Sequence, residues 1–333
     1  MSDRGNILVA GGAGYIGSNA CKALARAGYL PITFDSLVHG HEWAVKWVPL
    51  KRGDILDRAR LDQVITQYRP SAIMHFTAFA YVGDSLTDPG KYYRNNAGGS
   101  LNLLEAARDG DINQFVFSSN CATDGMPDRI RITVETPQHP INPYRASKLM
   151  VERMLTDFGT AHGLRSVTLS YFNAAGADPD GEIGEHHDPE THLIPIVLDA
   201  ASGQRPHVTI FGDDYDTPDG TCIRDYIDVS DLADAHVKAI LALDTGAGSQ
   251  TFNLGNGTGF SVRAVIEAVE HVTGKKVQTK VGPRRLGDPL SLVSSADAAG
   301  RILLWSPQRA ATDTIVGDAW TWSLDLTAER MMA

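Results

Sequence analysis

The chain has 333 residues, a formal net charge of −10 and 43% hydrophobic residues. This composition supports a buried core in one large or two smaller domains, so a wholly disordered chain is excluded. The acidic balance also argues against a dedicated nucleic-acid binder or a binder of anionic membranes, because both need a basic surface.

Strand-like and helix-like segments alternate through the first half of the chain. The predicted strands are Ile7–Ala10, Ile32–Asp35, Ala72–Phe76, Phe115–Ser118 and Val167–Phe172. The predicted helices are Ile16–Ala27, Arg58–Tyr68, Gly99–Arg108 and Tyr144–His162. Strands that alternate with helices predict an α/β protein whose parallel sheet is covered on both faces.

Beyond residue 174 the pattern is less regular. Residues 174–222 are rich in Gly, Asp, Pro and His, which predicts loops with short elements. A strand at 251–255 and a helix at Val262–Thr273 follow. We place a domain boundary near residue 174 on this shift in composition.

The three cysteines, Cys21, Cys121 and Cys222, are few and widely spaced. They fit neither a disulfide framework nor a zinc motif, and they indicate a reducing compartment. The N-terminus lacks the apolar stretch of a signal peptide, and no run of 18 apolar residues predicts a membrane span. We therefore expect a soluble cytoplasmic protein.

A glycine turn follows the first predicted strand and opens the first helix. Gly11, Gly14 and Gly17 have the spacing G-x-x-G-x-x-G. Gly11 permits the sharp turn, Gly14 lets the backbone approach a pyrophosphate, and Gly17 lets the helix pack closely on the sheet. The N–H groups at the start of the helix then point at the phosphates, which predicts a dinucleotide site.

The second predicted strand ends in Asp35, 18 residues after Gly17. A carboxylate at this position accepts hydrogen bonds from the adenosine ribose and repels a 2′-phosphate, and no Lys or Arg follows at 36–38. The pattern therefore favours NAD over NADP. Asp54 stands where a third strand would end, and two interpretations stay open: contact with the adenine, or capping of the helix that starts at Arg58.

Tyr144 and Lys148 lie four residues apart on a predicted helix and therefore share one face. We expect the Lys148 ammonium, together with an oxidised nicotinamide, to lower the pKa of the Tyr144 phenol so that it can accept a proton from a hydroxyl. The strand that ends in Ser118, Ser119 and Asn120 supplies polar groups for a substrate hydroxyl.

Together these motifs resemble the extended short-chain dehydrogenase/reductase superfamily, and longer phrases are similar to UDP-glucose (UDP-galactose) 4-epimerases. The phrases include GGAGYIGSN, NPYRASKLMVE, YFNAAGADPDGEIGE, TCIRDYIDVSDLADAH and PRRLGDP. The resemblance implies a Rossmann domain at 1–173 plus about 226–256. It implies a smaller mixed α/β domain for the UDP-sugar at 174–225 and 257–330. Bound NAD, a homodimer, and interconversion through a transient 4-keto sugar are also implied.

The resemblance assigns site residues by position. Tyr144, Lys148 and Asn120 would be catalytic. The cofactor would be bound by Gly11, Gly14, Tyr15, Ile16, Gly17, Asp35, Ser36, Asp54, Ile55, Phe76, Ala78, Asn95, Ser118, Tyr144, Lys148, Tyr171 and Phe172. The substrate would be bound by Asn173, His192, Leu193, Phe211, Arg224, Arg285, Asp288 and Leu292. Two arginines suit a diphosphate, because a guanidinium fork matches phosphate oxygens.

The chain departs from the family at two positions near the expected reaction centre. Asn120 stands where the family has Ser or Thr, and an amide orients a hydroxyl but does not relay its proton. Asp124 stands where the family has Tyr. Two alternatives therefore stay open: a 4-epimerase of another UDP-sugar (UDP-xylose/UDP-arabinose or a uronic sugar), and a catalytically impaired protein that binds NAD and UDP-sugar.

The segment GEHHDPETHL is rich in potential metal ligands, among them His186, His187, Asp188, Glu190 and His192. It lacks the helical i, i+4 spacing of a metal-binding histidine pair, and the family has no metal there. We expect no metal, and we expect this segment to form a loop over the substrate.

Overall fold

The computed structural model describes residues 4–121, 131–285 and 289–332. In chain order its strands are β1 Asn6–Ala10, β2 Leu30–Asp35, β3 Leu50–Arg52, β4 Ala72–His75, β5 Gln114–Asn120, β6 Arg131–Ile132, β7 Arg165–Tyr171, β8 Asn173–Ala175, β9 Val208–Phe211, β10 Ile223–Arg224, β11 Tyr226–Asp228, β12 Gln250–Asn253, β13 Phe260–Ser261, β14 Thr279–Gly282 and β15 Ser291–Ser294. Its helices are α1 Tyr15–Arg26, α2 Arg58–Tyr68, α3 Val82–Thr87, α4 Pro89–Tyr92, α5 Gly99–Asp109, α6 Pro143–His162, α7 Leu193–Ser202, α8 Val229–Asp244, α9 Val262–Thr273, α10 Asp297–Ile302 and α11 Thr312–Met332. Within these ranges, no helix has both the length and the apolar character needed to cross a bilayer.

Seven strands form one parallel sheet in the order β12-β7-β5-β4-β1-β2-β3. The chain moves outward from β1 through β2 to β3, and it then crosses back to build the other half from β4. The reversal falls between β1 and β4, where the loops that leave the two strands diverge and open a crevice. This is the doubly wound parallel sheet that the sequence predicts.

Strand β1 shows why the predicted strands are almost continuously apolar. Ile7 and Val9 join one apolar cluster with α1 and α8, whereas Leu8 and Ala10 join a second cluster with α2, α5 and α6. Side chains alternate between the faces of a strand, so a sheet covered on both faces buries every position. The two helical layers thereby hold the carboxyl ends of the strands in fixed relative positions.

Several elements were not predicted from the sequence. The interval 174–222 contains α7 and β9, and α8 and α11 also went unpredicted. Helix α8 is buried on most of its circumference, including the polar residues Asp231 and His236. A helix that is covered on nearly all sides lacks a clear amphipathic stripe, so its periodicity is weak in the sequence.

The C-terminal part of the chain forms smaller sheets and a third apolar cluster. A four-stranded sheet has the order β13-β10-β15-β6, and two-stranded sheets pair β11 with β8 and β14 with β9. The cluster is built mainly from α7, α9, α11 and β9. Strand β6 precedes residue 174 yet pairs with β15, so the second sheet draws on both parts of the chain. The boundary near residue 174 stays a prediction.

We expect the Asp228→Asn variant to be more stable than wild type at neutral pH. Asp228 is fully buried, and its Oδ1 accepts a hydrogen bond from the Ser230 amide at the start of α8. Burial raises the pKa of Asp228 to about 6, although Ser230 and Arg309 oppose the rise. This shift of about 2 units already includes the opposing effects of Ser230 and Arg309 and corresponds to ~3 kcal/mol, so a gain of up to ~3 kcal/mol is expected.

The pH dependence gives the check. The folded pKa lies above the unfolded one, so this group's contribution to stability is largest at low pH and falls as the pH rises from about 4 to about 6. Urea unfolding at pH 7.5 should show the full advantage of the variant, and at pH 4.5 the advantage should be much smaller. An equal advantage at both pH values, or a less stable variant at pH 7.5, contradicts this account.

Candidate active site

The glycine turn connects β1 to α1 at the crevice. Gly11 has φ of 83°, which favours glycine. A Cβ on Gly17 would lie 2.1 Å from the Gly11 carbonyl oxygen, so Gly17 is required by the packing of α1 on the turn. A Cβ on Gly14 would approach no neighbouring protein atom closer than 3.4 Å. Packing therefore does not require glycine at position 14, and the space beside it suits the close approach of a ligand phosphate.

The first turn of α1 provides the hydrogen-bond donors for such a phosphate. Gly14 is the N-cap of this 12-residue helix and has no side chain that could accept a hydrogen bond. The first backbone N–H groups of the helix therefore point toward the turn with no side chain capping them. Tyr15 and Ile16 are the first two helical residues, as expected for a pyrophosphate contact. The Tyr15 hydroxyl donates to the Gly176 carbonyl at 2.7 Å and so joins α1 to the chain that follows β8.

Asp35 lies at the carboxyl end of β2, beside the glycine turn. Its carboxylate accepts hydrogen bonds from the backbone amides of Ala13 at 3.0 Å and Leu37 at 2.8 Å. A Cβ on Gly40 would lie 2.9 Å from Asp35 Oδ1, so the loop after β2 passes close to the carboxylate. The carboxylate is thus fixed against the turn, and the exposed Ser36 follows it.

The two interpretations of Asp54 are partly separated by the structure. Asp57, not Asp54, caps α2 by accepting the Arg60 amide at 3.0 Å, so the capping interpretation of Asp54 is wrong. Asp54 is exposed and accepts the Leu56 amide at 2.9 Å. The Ile55 side chain is buried in the core, so only its backbone is available to an adenine. The adenine contacts of Asp54 and Ile55 stay predictions.

Helix α6 brings the tyrosine and the lysine to the end of β5. Asn142 caps the helix through the Arg145 amide, and Pro143 occupies the first turn. The Lys148 ammonium donates to the Ser118 carbonyl at 2.8 Å, and the Asn120 amide lies 3.4 Å from the Tyr144 hydroxyl. Helix and strand thus assemble the three residues that were predicted to be catalytic.

The electrostatics of this pair differ from the prediction. Burial raises the pKa of Tyr144 against weaker opposing effects of Asn120 and Arg145, and burial lowers the pKa of Lys148 to about 8. Lys148 is therefore not among the groups that shift the Tyr144 pKa in the protein alone, and the joint effect of Lys148 and a bound nicotinamide stays a prediction. The Lys148 ammonium is directed at a backbone carbonyl and lies 4.9 Å from the ring centre of Phe117, and burial dominates the pKa values of both groups.

The end of β7 completes this side of the crevice. The Ser118 and Tyr171 hydroxyls are hydrogen-bonded to each other across the adjacent strands, and both side chains are buried. The neighbouring Phe172 is half-buried, and the Asn173 side chain donates to the Asp225 carbonyl at 3.0 Å. These residues share the carboxyl edge of the sheet with Tyr144, as their predicted roles require.

The loop after β4 and the π-helical segment Tyr93–Gly98 between α4 and α5 supply the remaining residues predicted to lie along the cofactor. Phe76 packs on His236 with ring centres 4.7 Å apart, and Ala78 and Asn95 are half-buried. The sequence analysis missed the neighbouring residue Asn96. Its side-chain oxygen accepts a hydrogen bond from the Phe79 amide, and its side-chain nitrogen donates to the Phe79 carbonyl and to the Ser147 hydroxyl.

Asn96 therefore fixes the loop after β4 to the catalytic helix. Ser147 also donates to the Tyr144 carbonyl at 2.6 Å, so these contacts reach the residue that is predicted to be the base. The pair Asn95-Asn96 before a glycine pair is the only sequence signal for this role, and it does not say which asparagine is buried.

A cavity of about 540 Å³ opens beside the end of β8. Leu193 and its neighbours on α7 form one wall, and β9 and β10 form others. The guanidinium of Arg285 lies over the ring of Phe211 at 4.0 Å. The lining includes these residues predicted to bind substrate: Asn173, His192, Leu193, Phe211, Arg224 and Arg285. It also includes Arg205, a third guanidinium that the sequence analysis did not single out.

One predicted substrate residue, Leu292, is not found in the lining of this cavity, and two further positions, Asp288 and Asp124, cannot be placed. Leu292 is buried in β15, beside Arg224 of β10, and it is not among the described residues that line the cavity. Its role in binding the substrate stays a prediction. Asp288 and Asp124 lie outside the described residues.

The His-rich segment forms a loop at the mouth of the cavity, as expected. Four of its side chains, those of Glu185, His187, Glu190 and His192, converge so that their ligand atoms lie within 4.8 Å of one another. His186 instead contacts His41 of the loop after β2, at 3.0 Å between ring nitrogens. A second cluster, Asp178, Asp180 and Glu182, surrounds the Lys22 ammonium.

These features define an enzyme class. A glycine turn and an acidic residue for a dinucleotide, a buried Tyr-x-x-x-Lys pair, and an arginine-lined cavity meet at one edge of a doubly wound sheet. This combination is that of a dinucleotide-dependent enzyme of the short-chain dehydrogenase/reductase type. Residues 7–255 match the NAD dependent epimerase/dehydratase family, and the chain belongs to it.

Comparison with individual known proteins shows which members of this family the chain is similar to. The chain is 51% identical to the UDP-glucose 4-epimerase of Rhizobium meliloti (strain 1021) over 317 residues, which cover 95% of this chain and 96% of the relative. Its fold matches a crystal structure of UDP-glucose 4-epimerase from Brucella ovis in complex with NAD. That match has a TM-score of 0.93, 48% identity, and coverage of 95% of this chain and 98% of the other.

A further match is the UDP-glucose 4-epimerase from Bifidobacterium longum in complex with NAD+ and UDP. Its TM-score is 0.90 at 34% identity, with coverage of 96% of this chain and 98% of the other. The resemblance drawn from the sequence is thereby confirmed. Within its family, this chain groups with the UDP-glucose 4-epimerases.

Proposed function

We propose that this protein is an NAD-dependent 4-epimerase that interconverts UDP-glucose and UDP-galactose. The observation that carries the proposal is the meeting of the Tyr144 hydroxyl with Asn120 at the end of β5, in a protein that also has a cavity lined by Arg224 and Arg285. The names of relatives at 46–51% identity support the same substrate pair.

The residues present fit NAD. The space beside Gly14 accepts a pyrophosphate, and the Asp35 carboxylate disfavours the 2′-phosphate of NADP. Lys148 would hold the nicotinamide ribose, while Tyr171 and Phe172 would border the nicotinamide. Bound NAD supplies a hydride acceptor and donor for sugar C4, so the interconversion needs no second redox partner.

The protein's own residues handle the proton and the nucleotide. Tyr144 would hold the proton of the sugar 4-hydroxyl, and Asn120 would orient that hydroxyl through its amide. Arg224 and Arg285 would neutralise the diphosphate, and the Phe211 ring beneath Arg285 would border the uracil. Anchoring at the diphosphate leaves the sugar free to turn, so that both of its faces can be presented to Tyr144.

The test is incubation of the purified protein with UDP-galactose and detection of UDP-glucose by chromatography. We expect conversion without added NAD and without net NADH. The Asn120→Thr variant should raise kcat about tenfold, because a threonine hydroxyl both orients and relays the proton.

Other outcomes decide between the alternatives. Binding of UDP-galactose without conversion, with turnover gained in Asn120→Thr, identifies an impaired binding homologue. Conversion of UDP-xylose but not of UDP-galactose identifies a 4-epimerase of another sugar. Failure to retain or load NAD overturns the proposal in all of its forms.

We further propose that the protein is a homodimer that serves galactose metabolism in the cytoplasm. Leu103 and Leu155 of α5 and α6 are buried in the core, but Leu101 and Met150 on the same helices are 38% and 45% exposed. These exposed apolar residues support pairing of the two helices with those of a second copy. The free cysteines suit a reducing compartment.

A further inference from the structure

The loop of residues 184–192 is held by its backbone across three separate parts of the chain. The Glu185 carbonyl accepts the Trp322 indole N–H of α11 at 2.9 Å. The His186 carbonyl contacts His41 Nε2 at 2.9 Å, and the Pro189 carbonyl accepts the Tyr81 hydroxyl at 3.4 Å. These contacts fix the path of the loop, so the convergence of its side chains is not an accident of one rotamer.

Four side chains of this loop meet at one point. Nδ1 of His187 lies 3.0 Å from Glu185 Oε1 and 3.7 Å from Glu190 Oε2. Nδ1 of His192 lies 3.8 Å from Glu190 Oε1 and contacts Glu185 Oε1 directly. A tetrahedral ion with bonds of about 2.0–2.1 Å separates its ligand atoms by ~3.3 Å. These three distances lie on both sides of that separation, whereas the direct contact between His192 and Glu185 is shorter, so this pair has to move apart when an ion binds.

The arrangement of the histidines fits hydrogen bonds to Glu185 and also fits a shared metal ion. Both imidazoles direct the same nitrogen, Nδ1, at the same oxygen, Glu185 Oε1, and their ring centres are 5.3 Å apart. If both rings were protonated, two positive charges would converge on one oxygen atom. Neutral imidazoles around a divalent cation avoid that repulsion, and the charges of Glu185 and Glu190 balance the ion.

Three of the four side chains are largely buried, whereas that of His192 is 52% exposed. The side chains of Glu185 and Glu190 are 6% and 14% exposed, and that of His187 is 22% exposed. The Tyr15 ring meets the His187 ring edge-on, with centres 6.4 Å apart, so the cluster lies against the first turn of α1. Two imidazole nitrogens and two carboxylate oxygens form a donor set that zinc accepts, whereas calcium and magnesium prefer oxygen alone.

In contrast to the expectation of no metal drawn from the sequence of this segment, we propose that Glu185, His187, Glu190 and His192 form a tetrahedral site for a divalent first-row transition ion, with Zn²⁺ as the best match. The ion is structural: it fastens the 184–192 loop against α1, beside the glycine turn, and it leaves no ligand position for a reacting water. The cluster of Asp178, Asp180 and Glu182 is not such a site, because the Lys22 ammonium already lies among its carboxylates. The proposal does not depend on which sugar the protein converts.

The test is metal binding by the full-length protein after treatment with a chelator. Competition with a chromophoric chelator should show one Zn²⁺ per chain, and Co²⁺ should give the intense visible bands of tetrahedral coordination. His187→Gln should weaken Zn²⁺ binding by at least about 100-fold. This is more than is expected when a residue that only supports a ligand is removed. The matched control Glu182→Gln, a few residues earlier, should bind as wild type does.

Three results would overturn the site. They are absence of stoichiometric binding, a pale octahedral Co²⁺ spectrum, and a His187→Gln variant that binds Zn²⁺ as tightly as wild type. Glu190→Gln is the second variant, and its weakened binding supports the site if His187→Gln fails to fold. Circular dichroism of each metal-free variant establishes that a loss of binding does not come from unfolding.

Discussion

Replacing Tyr144 by phenylalanine should lower kcat for the conversion of UDP-galactose by about 10²–10⁴-fold, the usual contribution of a positioned acid–base group. The substitution removes only the hydroxyl that lies 3.4 Å from the Asn120 amide. The ring itself stays packed edge-on against Tyr92, with centres 6.5 Å apart. We therefore expect the folded structure and the bound NAD content to be retained, as measured by circular dichroism and by release of dinucleotide on denaturation.

Tyr29→Phe is the matched control for this change. Tyr29 is another buried tyrosine, but it precedes β2 at the opposite edge of the sheet, and its hydroxyl donates to Asp244 at 2.6 Å. Loss of that bond should cost about 1 kcal/mol of stability and leave kcat unchanged. A Tyr144→Phe variant with kcat within a few-fold of wild type would remove Tyr144 from the proton-transfer role.

Local demands of the backbone explain what the sequence predicts well. Gly11 and Gly17 are required by a positive φ and by a contact within one turn, so their spacing alone indicates the turn. Six of the seven strands of the large sheet are predicted because a sheet buried on both faces needs continuous apolar runs. The pairing of Tyr144 with Lys148 follows from helical periodicity. Each of these constraints acts within about ten residues.

Contacts between distant segments explain what the sequence leaves open. The role of Asn96 depends on Phe79 and on Ser147, which is 51 residues away in the chain. The pKa of Tyr144 depends on how deeply the fold buries it, and that depth is not encoded at positions 144 and 148 alone. The convergence of His187 and His192 needs a loop path that Trp322 and His41 set from elsewhere.

Lys22 connects helix α1, which follows the glycine turn, to the chain segment that precedes the 184–192 loop. Helix α1 begins at the glycine turn, and two turns later its Lys22 ammonium reaches Asp178 and Glu182, each at 2.5 Å. These acids belong to the segment that leads into the 184–192 loop. Burial by itself lowers the pKa of Lys22, but the carboxylates around it outweigh burial and raise the pKa. Lys22 therefore stays charged and holds this segment on α1.

We expect Lys22→Met to lower the free energy of unfolding by about 3 kcal/mol. Met fills much of the same volume, so the loss comes from charge: Asp178, only 4% exposed, keeps its negative charge in a buried site without its ammonium partner. Asp180 and Glu182 are 52% and 43% exposed, so water compensates them and they add little. Urea unfolding at neutral pH measures the change.

Arg26→Met is the matched control, because Arg26 is 62% exposed and pairs with the same Asp180 at 2.5 Å. Exposed pairs contribute less than about 1 kcal/mol, so this variant should unfold close to wild type. Adding Asp178→Asn to Lys22→Met removes the stranded charge and should restore more than about 1 kcal/mol, a coupling that a loss of packing would not show. If Lys22→Met and Arg26→Met lower the free energy of unfolding by the same small amount, Lys22 contributes no more than an ordinary surface cation. The attachment of the 178–192 segment to α1 must then rest on the Tyr15 hydroxyl and its neighbours.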